Sequence, residues 1–188
     1  MPSSYLGASQ FAGAIGISPY GSRAELWRLM TRRKTFDGNV YTQHGNDSEP
    51  LAVAAYEAHT GEIVTDQQRW YSLEYLGAHI DGRVGDRTTE FKCPFNRMYE
   101  DVPVYNMCQL QGQMHLAGVP HCHFVAWRFD ELTRTESLRI WHVDYSEEYW
   151  LWMRPMLDEF WQMVQTDTEP PRMTRKPIPL DVERQRIA

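Results

Sequence analysis

Two carboxylates and an ammonium group lie close together in the stretch Ala78 to Pro94, which reads Ala-His-Ile-Asp81-Gly82-Arg-Val-Gly85-Asp86-Arg-Thr-Thr-Glu90-Phe91-Lys92-Cys93-Pro94. Two strand-like runs, residues 79–84 and 88–93, flank the turn-like pair Gly85-Asp86, and this spacing predicts a β-hairpin. Side chains alternate faces along a strand, so Glu90 and Lys92 project to one side and Phe91 and Cys93 to the other. Asp81 lies on the partner run. Paired so that it faces the same side, it completes a cluster suited to phosphodiester hydrolysis. The carboxylates would hold a hard cation such as Mg2+, which takes oxygen ligands. A neighbouring lysine would act on the attacking water while the cation offsets charge on the phosphate. Gly82 permits a tight backbone beside Asp81. The same residue types also make an ordinary solvated hairpin face, so the chemistry depends on what the rest of the chain packs around them.

The elements that must do this packing follow in order. Residues 7–16 read as a short helix entered through Ser9 as its N-cap, where free backbone amides would receive a phosphate. Ser18-Pro19-Tyr20-Gly21 is turn chemistry. Ser22 caps a second helix, residues 23–33, with Leu26, Trp27, Leu29 and Met30 on its apolar face. A polar stretch, residues 35–42, precedes His44-Gly45-Asn-Asp-Ser-Glu49-Pro50 and a helical pattern ending at Gly61. Pro50 belongs in a first turn, so the helix is expected to start near Glu49 or to kink there. Glu49 would then sit at a positive helix end and supply a third acid beside the hairpin.

Short extended runs at 63–64, 68–72 and 74–76 feed the hairpin and predict a small mixed sheet. Residues 104–117 predict a helix burying Met107, Leu110, Met114 and Ala117 and stopped by Gly118. On it Gln109 and Gln113 share a face by their i, i+4 spacing, placed to hold a water or the lysine. Residues 121–129 and 137–143 alternate as two strands. His121 and His123 on one strand face suggest zinc, but no further ligand follows at a recognisable spacing. The last helix, residues 146–165, carries Trp150, Leu151, Met153, Met156, Leu157, Phe160 and Trp161, with a break or kink expected at Pro155.

The 188 residues are expected to form one domain over 1–168, followed by an extended proline-rich tail over 169–188. Three scattered cysteines make neither a disulfide framework nor a CxxC metal site, which indicates a reducing compartment. With no apolar run near the ~20 residues of a membrane span and no leader pattern, the expectation is a soluble, cytoplasmic protein with no membrane partner. The net charge of −6 argues against a generally basic nucleic-acid binder. It leaves room for a local basic groove.

Four blocks in order resemble the phage-type recombination exonucleases, the YqaJ-like and lambda-exonuclease group of the PD-(D/E)XK nucleases. They are Gly7-Ala-Ser9 with Ser18-Pro19-Tyr20; Gly45 to Tyr56 with Thr60-Gly61; Asp81-Gly82…Glu90-Phe91-Lys92-Cys93-Pro94; and Met107-Cys-Gln109-Leu-Gln111 with Gly118. The resemblance covers about residues 5 to 150. It implies an α/β restriction-endonuclease-like core, a central mixed β-sheet flanked by α-helices. It implies a two-metal site in which Asp81, Glu90 and the Phe91 backbone carbonyl bind Mg2+, with Mn2+ as a substitute, Lys92 acts on the water, and Glu49 and Gln109 complete the pocket. Ser9 matches a position near the 5′-phosphate. The family degrades one strand of linear double-stranded DNA from its 5′ end, leaving 3′ overhangs for a single-strand annealing protein, in the cytoplasm of a bacterial host or from a prophage. Its lambda-like members are ring-shaped homotrimers, and a basic channel inside an acidic ring would accommodate the net charge. Three departures stand out. Ile80 replaces the proline before the aspartate, His79 replaces a phosphate-holding serine, and an arginine before the Gly-Ala-Ser block has no counterpart, so Arg97 is a candidate for end recognition. Two rivals remain open: an endonuclease of the same superfamily, and a catalytically silent DNA-binding or assembly module.

Overall fold

In a computed structural model, which describes residues 4–35 and 38–188, the chain builds two sheets and packs helices on them. The strands are β1 (Leu6–Gly7), β2 (Trp70–Leu73), β3 (Leu76–His79), β4 (Gly82–Val84), β5 (Arg87–Lys92), β6 (His121–Asp130), β7 (Thr135–Asp144) and β8 (Arg184–Arg186). The helices are α1 (Phe11–Ala14), α2 (Arg23–Met30), α3 (Val40–Thr60), α4 (Val104–Ala117) and α5 (Glu147–Gln165). A three-stranded sheet runs β1-β3-β2, and a five-stranded sheet runs β4-β5-β6-β7-β8. Only β5 and β6 pair in parallel within the larger sheet, and the connection between them carries α4. A parallel pair needs such a crossover, whereas β6 and β7 close as a hairpin.

Alternation along β6 sorts its side chains between two cores. Cys122, Phe124 and Ala126 join Trp141, Leu110, Met114, Tyr149 and Phe160 under α4 and α5. Val125 and Trp127 join Phe91, Ile140, Ala52, Val53 and Tyr56 under α3. The larger sheet is therefore covered on both faces, as a sheet with apolar residues at successive strand positions requires.

Helix α4 begins after Pro103, in extended backbone, and ends at Gly118, whose φ of 64° is left-handed. Both boundaries match expectation, and the glycine stop is a backbone rule that needs no tertiary help. Helix α2 is capped by Ser22, which accepts from the Glu25 amide at 3.2 Å, but it stops at Met30 rather than 33. Three other expectations need correction. Helix α3 starts at Val40, ten residues before Pro50, so Glu49 is mid-helix and not at a positive end. Asn39 supplies the cap, accepting from the Thr42 amide at 3.0 Å, and Thr42, Gln43, Asn46 and Asp47 face solvent. Helix α5 runs without interruption through Pro155. Leu151, four residues before Pro155, is exposed, so the carbonyl that loses its amide partner lies on the solvent side of the helix. Ser9 is no cap: it lies inside a 3-10 turn, Ala8–Gln10, opened by Gly7, whose amide donates to Gln10 Oε1 at 3.0 Å.

The tail is not a free arm throughout. After an irregular run, Arg184–Arg186 adds β8 antiparallel to β7. Arg184 fixes it through Asp101 at 2.6 Å and Asp181 at 2.8 Å. Among the described residues, no helix is long and apolar enough to cross a membrane.

Candidate active site

The expected hairpin forms, but its first strand is shorter than the sequence suggests. His79 ends β3 in the small sheet, and the chain crosses to the large sheet through Ile80 and Asp81 before β4 begins at Gly82. Gly82 pairs with Thr89, so continuing the antiparallel register places Asp81 opposite Glu90. Asp81 Oδ2 accepts from the Phe91 amide at 2.8 Å, which pins the carboxylate at the strand edge. Glycine is required at the next position: a Cβ on Gly82 would lie 2.2 Å from Val64 Cγ1 and 2.8 Å from Thr89 Oγ1. The aspartate is thus presented at a point where two sheets meet and no side chain fits behind it.

Glu90 is 1% exposed, and its neighbours explain how a buried carboxylate is tolerated. Oε1 accepts from Lys92 Nζ and from Gln109 Nε2, the latter at 2.7 Å. Oε2 accepts from Gln113 Nε2 at 2.6 Å. Charge-assisted bonds of this kind offset the loss of water around a buried anion. The expected face of α4 is therefore confirmed in geometry, with both glutamines bound to the same acid. Gln113, flagged only by its spacing, also donates to the His79 carbonyl at 3.1 Å and so ties the helix to both sheets. Gln111 points elsewhere, bonding the Asp144 carbonyl and the Ser146 amide.

Burial pushes the Asp81 carboxyl well above the usual carboxylate range, and nearby Glu90 pushes it further, against the opposing pull of Lys92. Burial alone would lower Lys92, but Glu90 and Asp81 outweigh it and hold the ammonium above its ordinary value. Two carboxylates and one ammonium converge at a partly exposed edge of the sheet. The donors are oxygens: two carboxylates and the Phe91 carbonyl beside them. Asp81 Oδ1 takes no hydrogen bond among the described residues. Such a donor set fits a hard divalent cation such as Mg2+.

The remaining expected residues are placed less tightly. Glu49, on α3, accepts from Gln68 Nε2 at 3.0 Å and lies close enough to raise Asp81 further. Ser9 is exposed. Arg97 is 82% exposed and pairs with Glu100 at 3.9 Å, so it is free to meet a ligand but is not aimed by its surroundings. Burial pushes the Cys93 thiol up to about 12, which disfavours its thiolate. Two residues near Lys92 were not legible as a pair. Tyr20 and Tyr105 join hydroxyls at 3.0 Å with rings edge to face, although they are 85 positions apart. Tyr20 itself is 79% exposed.

Comparison with known proteins agrees with this architecture. An alkaline exonuclease from Laribacter hongkongensis superposes with a TM-score of 0.70 at 22% identity, over 87% of this chain and 89% of that one. The same exonuclease in complex with dAMP gives a TM-score of 0.67 over the same shares. A phage-related exonuclease from Haemophilus somnus 129PT gives 0.62 at 16% identity, over 86% of this chain and 92% of that one. These likenesses show the restriction-endonuclease-like fold. Among curated proteins none matches the sequence. The model of the YqaJ-like viral recombinase domain matches residues 2–120, and with the Asp81, Glu90 and Lys92 cluster inside that span, the chain belongs to that family.

Proposed function

We propose that the protein is a Mg2+-dependent exonuclease that degrades one strand of linear double-stranded DNA from its 5′ end and leaves 3′ overhangs for recombination by strand annealing. The observation that carries this reading is the convergence of Asp81, Glu90 and Lys92, positioned by Gln109, Gln113 and the Phe91 amide. A binding module has no need to bury Glu90 and surround it with three donors.

Asp81, Glu90 and the Phe91 carbonyl would hold Mg2+, or Mn2+ in its place. When bound, the cation stabilises charge on the phosphate and lowers the pKa of water. Lys92, kept protonated by its two acids, donates a hydrogen bond and orients the attacking water from the protein side. Gln109 and Gln113 fix the rotamer of Glu90, and Glu49 closes the α3 side of the pocket. Ser9 and Arg97 are assigned to the 5′-phosphate, and Tyr20 with Tyr105 offers hydroxyls on the Lys92 side. A homotrimeric ring, a single-strand annealing partner and a place in the bacterial cytoplasm belong to the same proposal. They rest on membership of the family and on the −6 net charge, which a basic channel inside an acidic ring would reconcile with DNA binding.

The test uses linear duplex labelled separately at its 5′ or 3′ end, with phosphate or hydroxyl 5′ ends, in Mg2+ or in EDTA, beside a circular duplex. Mg2+-dependent loss from phosphorylated 5′ ends, abolished by Lys92→Ala in a folded protein, is the expected result. Cutting of the circle would make the protein an endonuclease. No cleavage by the wild type, with binding retained, would make it a silent module.

A further inference from the structure

A second cluster of ligating groups lies on the opposite face of the large sheet from Glu90. Register across β6 and β7 sets His121 opposite Asp144 and His123 opposite His142. By alternation all four share the face of Val125 and Ile140, towards α3, whereas Glu90 pairs with Phe124 on the α4 side. His121 Nδ1 lies 2.8 Å from Asp144 Oδ1, and His142 Nε2 lies 3.3 Å from the same oxygen. One ligand atom from each of the three residues falls within 4.8 Å of the others.

We propose that His121, His142 and Asp144 bind a zinc-class transition-metal ion at a site separate from the nuclease centre, with a fourth position open to water. The donor set is two imidazoles and one carboxylate, which suits Zn2+ or Co2+, whereas the oxygen donors around Asp81 suit Mg2+. Ligand atoms at tetrahedral Zn2+ are separated by about 3.4 Å, close to the His142–Asp144 spacing. The other two spacings adjust by rotation of His121, whose side chain is 35% exposed.

Behind the cluster stands the outer shell such a site needs. His123, 5% exposed, has its Nε2 at 3.3 Å from His142 Nδ1 and its Nδ1 at 2.8 Å from the Tyr56 hydroxyl. With the proton of His142 on Nε2, the nitrogen 3.3 Å from Asp144 Oδ1, His142 Nδ1 accepts from His123, and His123 Nδ1 accepts from Tyr56. With an ion on Nε2, every link reverses: His142 Nδ1–H donates to His123, and His123 Nδ1–H donates to Tyr56. A hydroxyl serves as donor or acceptor, so the chain is complete in both states. A ligating histidine whose second nitrogen is held in this way has its tautomer and ring plane fixed. The ion would clamp β6 to β7 next to the edge where β8 joins, since His142 also pairs with Gln185.

Co2+ titration of the full chain, followed by visible absorption and calorimetry, tests the site. One equivalent with a tetrahedral spectrum is expected in the wild type and, unchanged, in Glu90→Gln, which disables the other centre. His142→Gln and Asp144→Asn should weaken it by at least about 100-fold, and Tyr56→Phe, which keeps the ring, by about tenfold. Urea midpoints identify any variant that fails to fold, and His121→Gln, at a half-exposed position, provides a second ligand variant. Two results overturn the proposal: no Co2+ bound below millimolar concentrations, or Co2+ lost in Glu90→Gln and kept in Asp144→Asn.

Discussion

Replacing Gln113 with leucine isolates the support of Glu90 from the acid itself. The side chain is fully buried, and its amide donates to Glu90 Oε2 at 2.6 Å and to the His79 carbonyl at 3.1 Å. A hydrogen bond to a charged group contributes about 1.5–3 kcal/mol, and the bond to the carbonyl adds about 1 kcal/mol. Leucine also removes Gln113 Oε1, a buried acceptor without a partner, which returns about 1 kcal/mol. The net loss is therefore about 2 kcal/mol, or about 4–8 °C in melting temperature for a chain of this size. Cleavage should fall by about 10- to 100-fold, because Glu90 keeps donors on Oε1 but loses the one on Oε2 that fixes its rotamer. Thermal melts and single-turnover digestion of end-labelled duplex measure the two effects. Gln109→Leu is the control: it removes one bond from a half-buried position, so its stability cost should be smaller. Wild-type cleavage by a destabilised Gln113→Leu protein would refute the orienting role, and a wild-type melt would refute the burial argument.

Two further outcomes follow from the same structure. Gly82→Ala should cost about 1–3 kcal/mol, because its Cβ would overlap Val64 and Thr89, and cleavage should drop with it because Asp81 is adjacent; equal urea midpoints for mutant and wild type would refute this. Arg184 holds Asp101 and Asp181 below their ordinary value of 3.8 through hydrogen bonds. A depressed carboxylate stabilises the fold above its ordinary pKa and stops doing so as pH falls through its lower folded value. The urea-midpoint gap between wild type and Arg184→Gln should therefore be open at pH 6 and close below about pH 4; a gap independent of pH would remove Arg184 from the attachment of β8.

What was legible in the sequence was whatever local backbone rules decide. Alternation placed Glu90 and Lys92 on one face, and Gly118 ended α4. The i, i+4 spacing put Gln109 and Gln113 on one face, although nothing local said that both reach a single carboxylate 19 and 23 positions away. Pro50 misled because a local rule met a tertiary answer: a helix already capped at Asn39 and packed through Ala52, Val53 and Tyr56 carries a proline at its centre. Ser9 misled for the converse reason, since Gln10 had already taken the capping role.

The histidines show where such rules stop. His121 and His123 share a strand face, as alternation demands, but a metal site needs ligands from a second strand. Those ligands, His142 and Asp144, lie about twenty positions further on at a distance set by a hairpin register. Register depends on which residues are buried on each face, because a slip of one residue turns every side chain over. Val125 opposite Ile140 in the α3 core fixes it here. A slip of one residue would move His142 and Asp144 to the α4 face and bring Trp141 and Val143 out of their core. The apolar packing that stabilises the sheet is therefore what aligns His121 with Asp144 and His123 with His142, so a core substitution at Ile140 should loosen the histidine cluster without touching any of its members.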